Sequence, residues 1–243
     1  MLKNSLVLNQ VSLPEPPGLW AAPLDLVLEL QEVLLIERIS PEESAPLLEV
    51  AASIRPPAAG QVWHWEMDAF SLPREEHYRL RRRIAYLAPG QVLLSRLTLG
   101  DNIALGACYQ EGIPPRVVLS GHADLLEHLG LKPYLTAMPG EVEEEVCFRA
   151  LWARELIKQP DLIVAVLGEA WDPHPPAPEG ILWLKNYLAR RGAAALILGQ
   201  SLRDFHPLAS RLLRQEGGRL HPHPLSGHQG RPLTDFFPLV MEE

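Results

Sequence analysis

The residues with the strongest claim to chemistry are acidic. Glu42 and Glu43 fall in RISPEESA (38–45), and Glu143, Glu144 and Glu145 fall in VEEEV (142–146). Each run opens a helical pattern. Ser40, Pro41 and the two glutamates after them supply a cap, a proline at the first helical position and acids in the first turn. Leu47, Leu48, Val50, Ala51 and Ile54 follow at helical spacing. A helix amino terminus presents unsatisfied N–H groups and about half a positive charge, so it holds phosphates and carboxylates alike. The strand–turn–helix order around 38–45 therefore has the outline of a triphosphate-binding loop, with the residues that would hold the triphosphate absent. The same glutamates are equally ordinary first-turn acids, and both readings stand on the sequence alone.

Other reactive types are more scattered. His221, His223 and His228 lie in a proline-rich tail with no carboxylate or cysteine beside them, a weak pattern for a metal. Cys108 and Cys147 stand 39 positions apart, with no CxxC and no local base, as expected of a reducing compartment. Arg79, Arg81, Arg82 and Arg83 read more simply as a charged helix face than as a seat for an anionic partner. WHW at 63–65 reads as strand packing, and FFPLV near the carboxyl terminus as an apolar docking element.

These residues need elements to hold them. The 243 residues suit one large domain, and 47% hydrophobic with 21% charged is a globular composition. A formal net charge of -8 argues against wholesale nucleic-acid binding. No apolar run approaches the roughly 18 residues that cross a bilayer. MLKNSLVLNQ lacks the form of a signal peptide, so a soluble cytosolic chain is expected. Residues 5–36 are β-rich, GQVWHWE is a strand, PREEHYRLRRR a charged helix and IAYLA a strand. Residues from about 100 to 158 are helical throughout. DLIVAVLG and AAALILG are buried strands on either side of the helix GILWLKNYLARRG, the mark of a parallel sheet covered on both faces. HPLASRLLRQEGG (206–218) reads as a helix and turn.

With these elements in order, the chain resembles the ATP-binding subunit of ATP-binding-cassette (ABC) transporters over roughly residues 5–220. RPPAAGQVWHW is similar to the segment after the family's phosphate-loop helix. RRRIAYLAPGQVLLSRLTLGDNIALG is similar to its glutamine-loop region. RALWARELIKQPDLIVAVLGEAWD is similar to its signature helix running into Walker B. LARRGAAALILGQS resembles the strand before the switch histidine, and RLLRQEGGRL the closing strand pair.

The resemblance assigns nucleotide-site positions whose chemistry is gone. In GxxxxGK[ST] backbone N–H groups wrap the phosphates, the lysine reaches them and the hydroxyl binds Mg²⁺. Here Arg38 stands at the first glycine, Glu43 at the second, Ser44 at the lysine and Ala45 at the hydroxyl. Gly168 replaces the Walker B aspartate, while Glu169 occupies the catalytic glutamate position. Glu143, Glu144 and Glu145 replace Ser-Gly-Gly of the signature, Gln200 the switch histidine and Pro175 the D-loop aspartate. Pro89 falls on the glutamine-loop position, with Gln91 as a shifted substitute. Losing about three charge-assisted contacts of about 1.5–3 kcal/mol each removes about 5–9 kcal/mol, on the order of 10³–10⁶ in affinity. Carboxylates near a triphosphate add repulsion.

The expected fold is therefore α/β: a P-loop NTPase-like ABC ATPase core sheet with an antiparallel β flank and a helical subdomain at about 92–158. A Pro/His-rich tail follows from 221 to 243. The resemblance implies a non-catalytic subunit with no cofactor, ATP and Mg²⁺ binding being weak or absent. It would sit peripherally on the cytoplasmic face of a membrane, on a permease, a competent ATPase subunit, or both, with a dimer possible and no nucleic acid bound. One alternative is an active ATPase with Glu169 as base; another is a regulatory or scaffold protein detached from transport. We expect the acidic runs to stand in for the phosphate that they exclude.

Overall fold

A computed structural model describes residues 4–14, 20–88, 90–167 and 178–225. The chain opens with β1 (Asn4–Ser12) and β2 (Leu24–Glu29), an antiparallel pair. In β2 the sequence LDLVLE alternates buried and exposed residues, as a strand with one wet face must. The next strand, β3 (Val33–Glu37), is buried at every position and belongs to a second sheet. After it come α1 (Pro41–Ala51), β4 (Ala59–His64), β5 (Met67–Asp68), α2 (Arg74–Arg82) and β6 (Ile84–Leu87). Four helices follow: α3 (Leu99–Glu111), α4 (Pro115–Gly121), α5 (Ala123–His128) and α6 (Glu144–Leu156). The chain then returns to the core as β7 (Leu162–Val166), α7 (Pro178–Arg191), β8 (Ala194–Gly199), β9 (Arg211–Glu216) and β10 (Arg219–His223).

The first sheet is four-stranded, ordered β2-β1-β4-β5, and antiparallel. The second is six-stranded, ordered β10-β9-β3-β8-β7-β6, and parallel apart from β10. One core lies between the sheets and under α1, where Leu6, Leu8, Leu28, Leu34, Ile36, Leu47 and Leu196 meet. A second lies on the opposite face, where Leu35, Ile163 and Ile197 meet Trp152 and Leu156 of α6 and Leu184 and Leu188 of α7. A third, with Leu99, Ile103, Leu126, Leu131, Val146 and Ala150, holds the helical subdomain together.

At 206–218 the structure corrects the helix that the local pattern suggests. Arg203–Leu208 is a 3-10 turn, and Arg211–Glu216 is strand β9, parallel to β3 and antiparallel to β10. Leu212 and Leu213 fit either element, so pairing decides. Gly217 and Gly218 both take positive φ, the requirement of a two-residue hairpin that returns the chain as β10. That strand runs to His223, past the tail boundary that the sequence suggests at 220.

Candidate functional site

Parallel α/β sheets hold ligands outside the carboxyl ends of their strands, and there the assigned residues gather. β3 ends at Glu37 and α1 begins at Pro41, so only Arg38, Ile39 and Ser40 join them. The phosphate-loop pattern needs four residues and a glycine between its first glycine and its lysine. Helix starts too early here for such a loop to form. Arg38 makes the turn with φ +60. Its amide donates to the Gln200 carbonyl (3.3 Å), which places Gln200 against the turn. Its guanidinium meets Glu216 at 2.6 Å, with both side chains half exposed.

The amino terminus of α1 is closed by its own side chains. The Glu43 amide donates to Ser40 Oγ (3.3 Å), and the Ser40 amide donates to Glu43 Oε2 (2.9 Å), a reciprocal capping box. Glu43 Oε1 also accepts from Gln215 Nε2 of β9 at 2.6 Å. Ser44 is buried in the first turn, and its amide already bonds the Ser40 carbonyl. Ala45 lies beside it, half buried, and Glu42 is exposed. The Ser40 and Glu43 amides, donors that a phosphate would use, are thus occupied by a glutamate and a serine.

The other acidic run behaves differently. Glu143 is the N-cap of α6 but makes no side-chain capping bond, and Glu143, Glu144 and Glu145 are all exposed. Glu145 pairs loosely with Arg149 at 3.8 Å. Among the described residues no hydrogen bond or ion pair joins this run to the β3–α1 turn. Gln91 donates from Nε2 to the Tyr86 carbonyl (2.9 Å), while its Oε1 is buried with no partner among the described residues. Pro89, Gly168, Glu169 and Pro175 lie outside the described residues. β7, the strand that leads to 168, is the second neighbour of β3 in the sheet.

Sequence reasoning missed the most heavily bonded group among the described residues at this end of the sheet. Glu37 is 4% exposed. Its Oε1 accepts from the Leu202 amide (3.2 Å) and His206 Nε2 (2.8 Å), and its Oε2 accepts from Arg214 Nε (3.1 Å). Burial alone would raise its pKa. The bonds from His206, Leu202 and Arg214 outweigh burial and hold the carboxyl below its ordinary value. Arg214 Nη1 in turn contacts His223 Nε2, whose Nδ1 faces the Pro224 carbonyl at 3.0 Å. The available signal was a lone glutamate closing the apolar run VLLI immediately before a turn.

The remaining candidates separate from this site. Among the described residues no group of His, Cys, Asp and Glu could hold a metal, and His228 lies outside them. His221 is exposed, and His223 belongs to the Arg214 contact. Burial pushes both thiols up, with Asp101 adding to Cys108 and Glu144 to Cys147, the reverse of an activated nucleophile. Arg83 lies 3.7 Å from the centre of the Trp65 ring and 2.7 Å from Asp161. Among the described residues Arg79 pairs with exposed Glu75, at 3.8 Å.

No protein-family profile matches the chain. In sequence it is similar to the lipoprotein-releasing system ATP-binding protein LolD of Psychrobacter arcticus, 25% identical over 143 residues, 58% of this chain and 63% of that protein. LolD of Gluconobacter oxydans is 28% identical over 135 residues, 55% of this chain and 58% of that one. The intermembrane phospholipid transport system ATP-binding protein MlaF of Haemophilus influenzae is 26% identical over 118 residues, 49% of this chain and 45% of that one. The chain thus spans less than two thirds of the length of these relatives. In structure it superposes on the ATP-binding cassette MJ0796, a dimer bound to ADP and Pi, with TM-score 0.72, 16% identity, and 92% of this chain and all (100%) of that one covered. It superposes on cbiO1 of Clostridium perfringens, part of the ABC transporter complex cbiONQ, with TM-score 0.70, 14% identity, and 90% and 87% covered. The fold is that of an ABC ATPase domain. The chain is a sequence relative of ABC transporter ATP-binding subunits.

Proposed function

We propose that this chain is a non-catalytic, cassette-like subunit of a membrane transporter, which docks on a permease, a competent ATPase subunit, or both, and does not use ATP at its own loop. The observation that carries the reading is the β3–α1 turn. It has three residues; its Arg38 and Ser40 amides are taken by Gln200 and Glu43, and the Glu43 amide in the first turn of α1 by Ser40. A triphosphate entering here would have to displace a bonded carboxylate, with no lysine to repay the exchange.

The docking part of the proposal rests on the segment before α3. Asn102 is 1% exposed, and its Oδ1 accepts from the Leu94 amide (2.7 Å). Its Nδ2 donates to the carbonyls of Leu94, Leu97 and Thr98 at 3.0–3.1 Å. Arg154 Nη1 fastens the Val92 carbonyl at 3.1 Å. The backbone at 92–98 is thereby fixed while Val92 and Leu94 remain exposed, and Leu105 and Tyr109 are exposed on α3, apolar side chains of the kind partners use.

Calorimetric titration of the purified chain with Mg-ATP to about millimolar tests the reading. No binding is expected. Micromolar affinity, with turnover lost in Glu169→Gln, would overturn it in favour of an active ATPase.

A further inference from the structure

The donors around Glu37 are of a particular kind. A peptide N–H from Leu202, the imidazole of His206 and the guanidinium of Arg214 converge on the two oxygens of one buried carboxylate at 2.8–3.2 Å. They come from the loop after β8, the 3-10 turn and β9, which are 165 to 177 residues from Glu37 in sequence. Charge-assisted donors arranged around one anion are how proteins bind oxyanions. The donors also lie at the carboxyl end of β3, where parallel sheets hold ligands. Here the anion is part of the chain.

We propose that the Leu202 amide, His206 and Arg214 form a complete site for a small carboxylate, and that the Glu37 side chain is its resident ligand. Native protein therefore takes no external anion at this point. Glu37 acts as a tether, holding the loop after β8 and strand β9 on β3 with no ligand bound. Glu43 does the same on a smaller scale one turn away, between the Ser40 amide and Gln215 of β9. Three successive residues of β9 thus reach the β3–α1 region: Arg214 to Glu37, Gln215 to Glu43 and Glu216 to Arg38. The inference concerns the donor set itself and stands whether or not the chain serves a transporter.

Shape makes the site testable. Shortening glutamate to alanine removes a carboxymethyl group, and acetate has the same heavy atoms. The full-length Glu37→Ala variant is expected to melt several degrees below wild type, and sodium acetate at tens of millimolar is expected to recover much of that loss. Sodium chloride at equal ionic strength is expected to recover little, and wild type to respond alike to both salts. Adding Arg214→Gln to Glu37→Ala is expected to abolish the acetate effect. Should Glu37→Ala aggregate, the yield on refolding in acetate against chloride gives the same reading. Glu37→Gln, which keeps the volume and removes the charge, is expected to melt lower than wild type by several degrees. Melting of Glu37→Gln at the wild-type temperature, or an acetate effect on Glu37→Ala no larger than that of chloride, would overturn the proposal.

Discussion

His64 is fully buried in β4, with Nε2 2.9 Å from Ser53 Oγ and Nδ1 3.2 Å from the Ser5 carbonyl. Burial is the main reason that its pKa falls from 6.5 to about 4, and the charges of Arg83 and His77 add to it. Between those values the unfolded chain binds a proton that the folded chain refuses. Stability therefore rises with pH across the window and is lost as pH falls through it. At about 1.4 kcal/mol per unit, roughly 2 kcal/mol is gone by pH 5. The lowered pKa of Glu37 acts in the same direction, but only below its ordinary value of 4.5. Urea unfolding at pH 7.5 and pH 5 separates the two. Wild type is expected to lose about 2 kcal/mol over that interval, and His64→Asn to lose much less even though it starts lower. Equal losses would assign the acid sensitivity to another group.

At the scale of elements, the early start of α1 decides what a single substitution can restore. Ser44 holds the position of the phosphate-loop lysine, but it is 1% exposed and lies one turn into a capped helix. A lysine there would point into the packing around Leu47 and Leu48 rather than into a loop. Ser44→Lys is expected to lower stability by about 2 kcal/mol or more, the cost of burying an unpaired charge, and to gain no Mg-ATP binding. Melting and calorimetry on one preparation read both, and a gain of binding would show that the turn can open. Local pattern revealed the helix itself, since cap, proline and apolar spacing all lie within a few residues. It misread 206–218 because β9 is a strand by virtue of its partner. Its bonds to β3 join residues far apart in sequence, and no short window contains them.

For the whole molecule, ordered landmarks gave the layout: an antiparallel flank, a parallel core and an inserted helical unit all appear as strands and helices in the expected sequence. Tethers across the core were invisible in advance, because Arg214 and Glu37 become neighbours only after the sheet is assembled. Val92, Leu94, Leu105 and Tyr109 belong to none of the three apolar clusters, so they can serve a partner without disturbing the sheet. Val92 is 71% exposed on a segment fixed by Asn102 and Arg154, and Tyr109 is 92% exposed on α3. Leaving such side chains in water on a rigid frame is unfavourable unless a partner covers them. A photoreactive residue placed at 92 or 109 in living cells is therefore expected to crosslink to a detergent-extractable integral membrane protein. The same residue at Tyr78 on α2, also exposed at 49%, is expected to give no such product. Val92→Glu with Tyr109→Glu is expected to abolish the crosslink from a neighbouring position such as 105 while leaving melting within about a degree, as exposed substitutions do. Products of equal yield from 78 and 109, or none from 92 and 109, would remove the permease from the proposed function and leave the cassette fold without a membrane partner on this face.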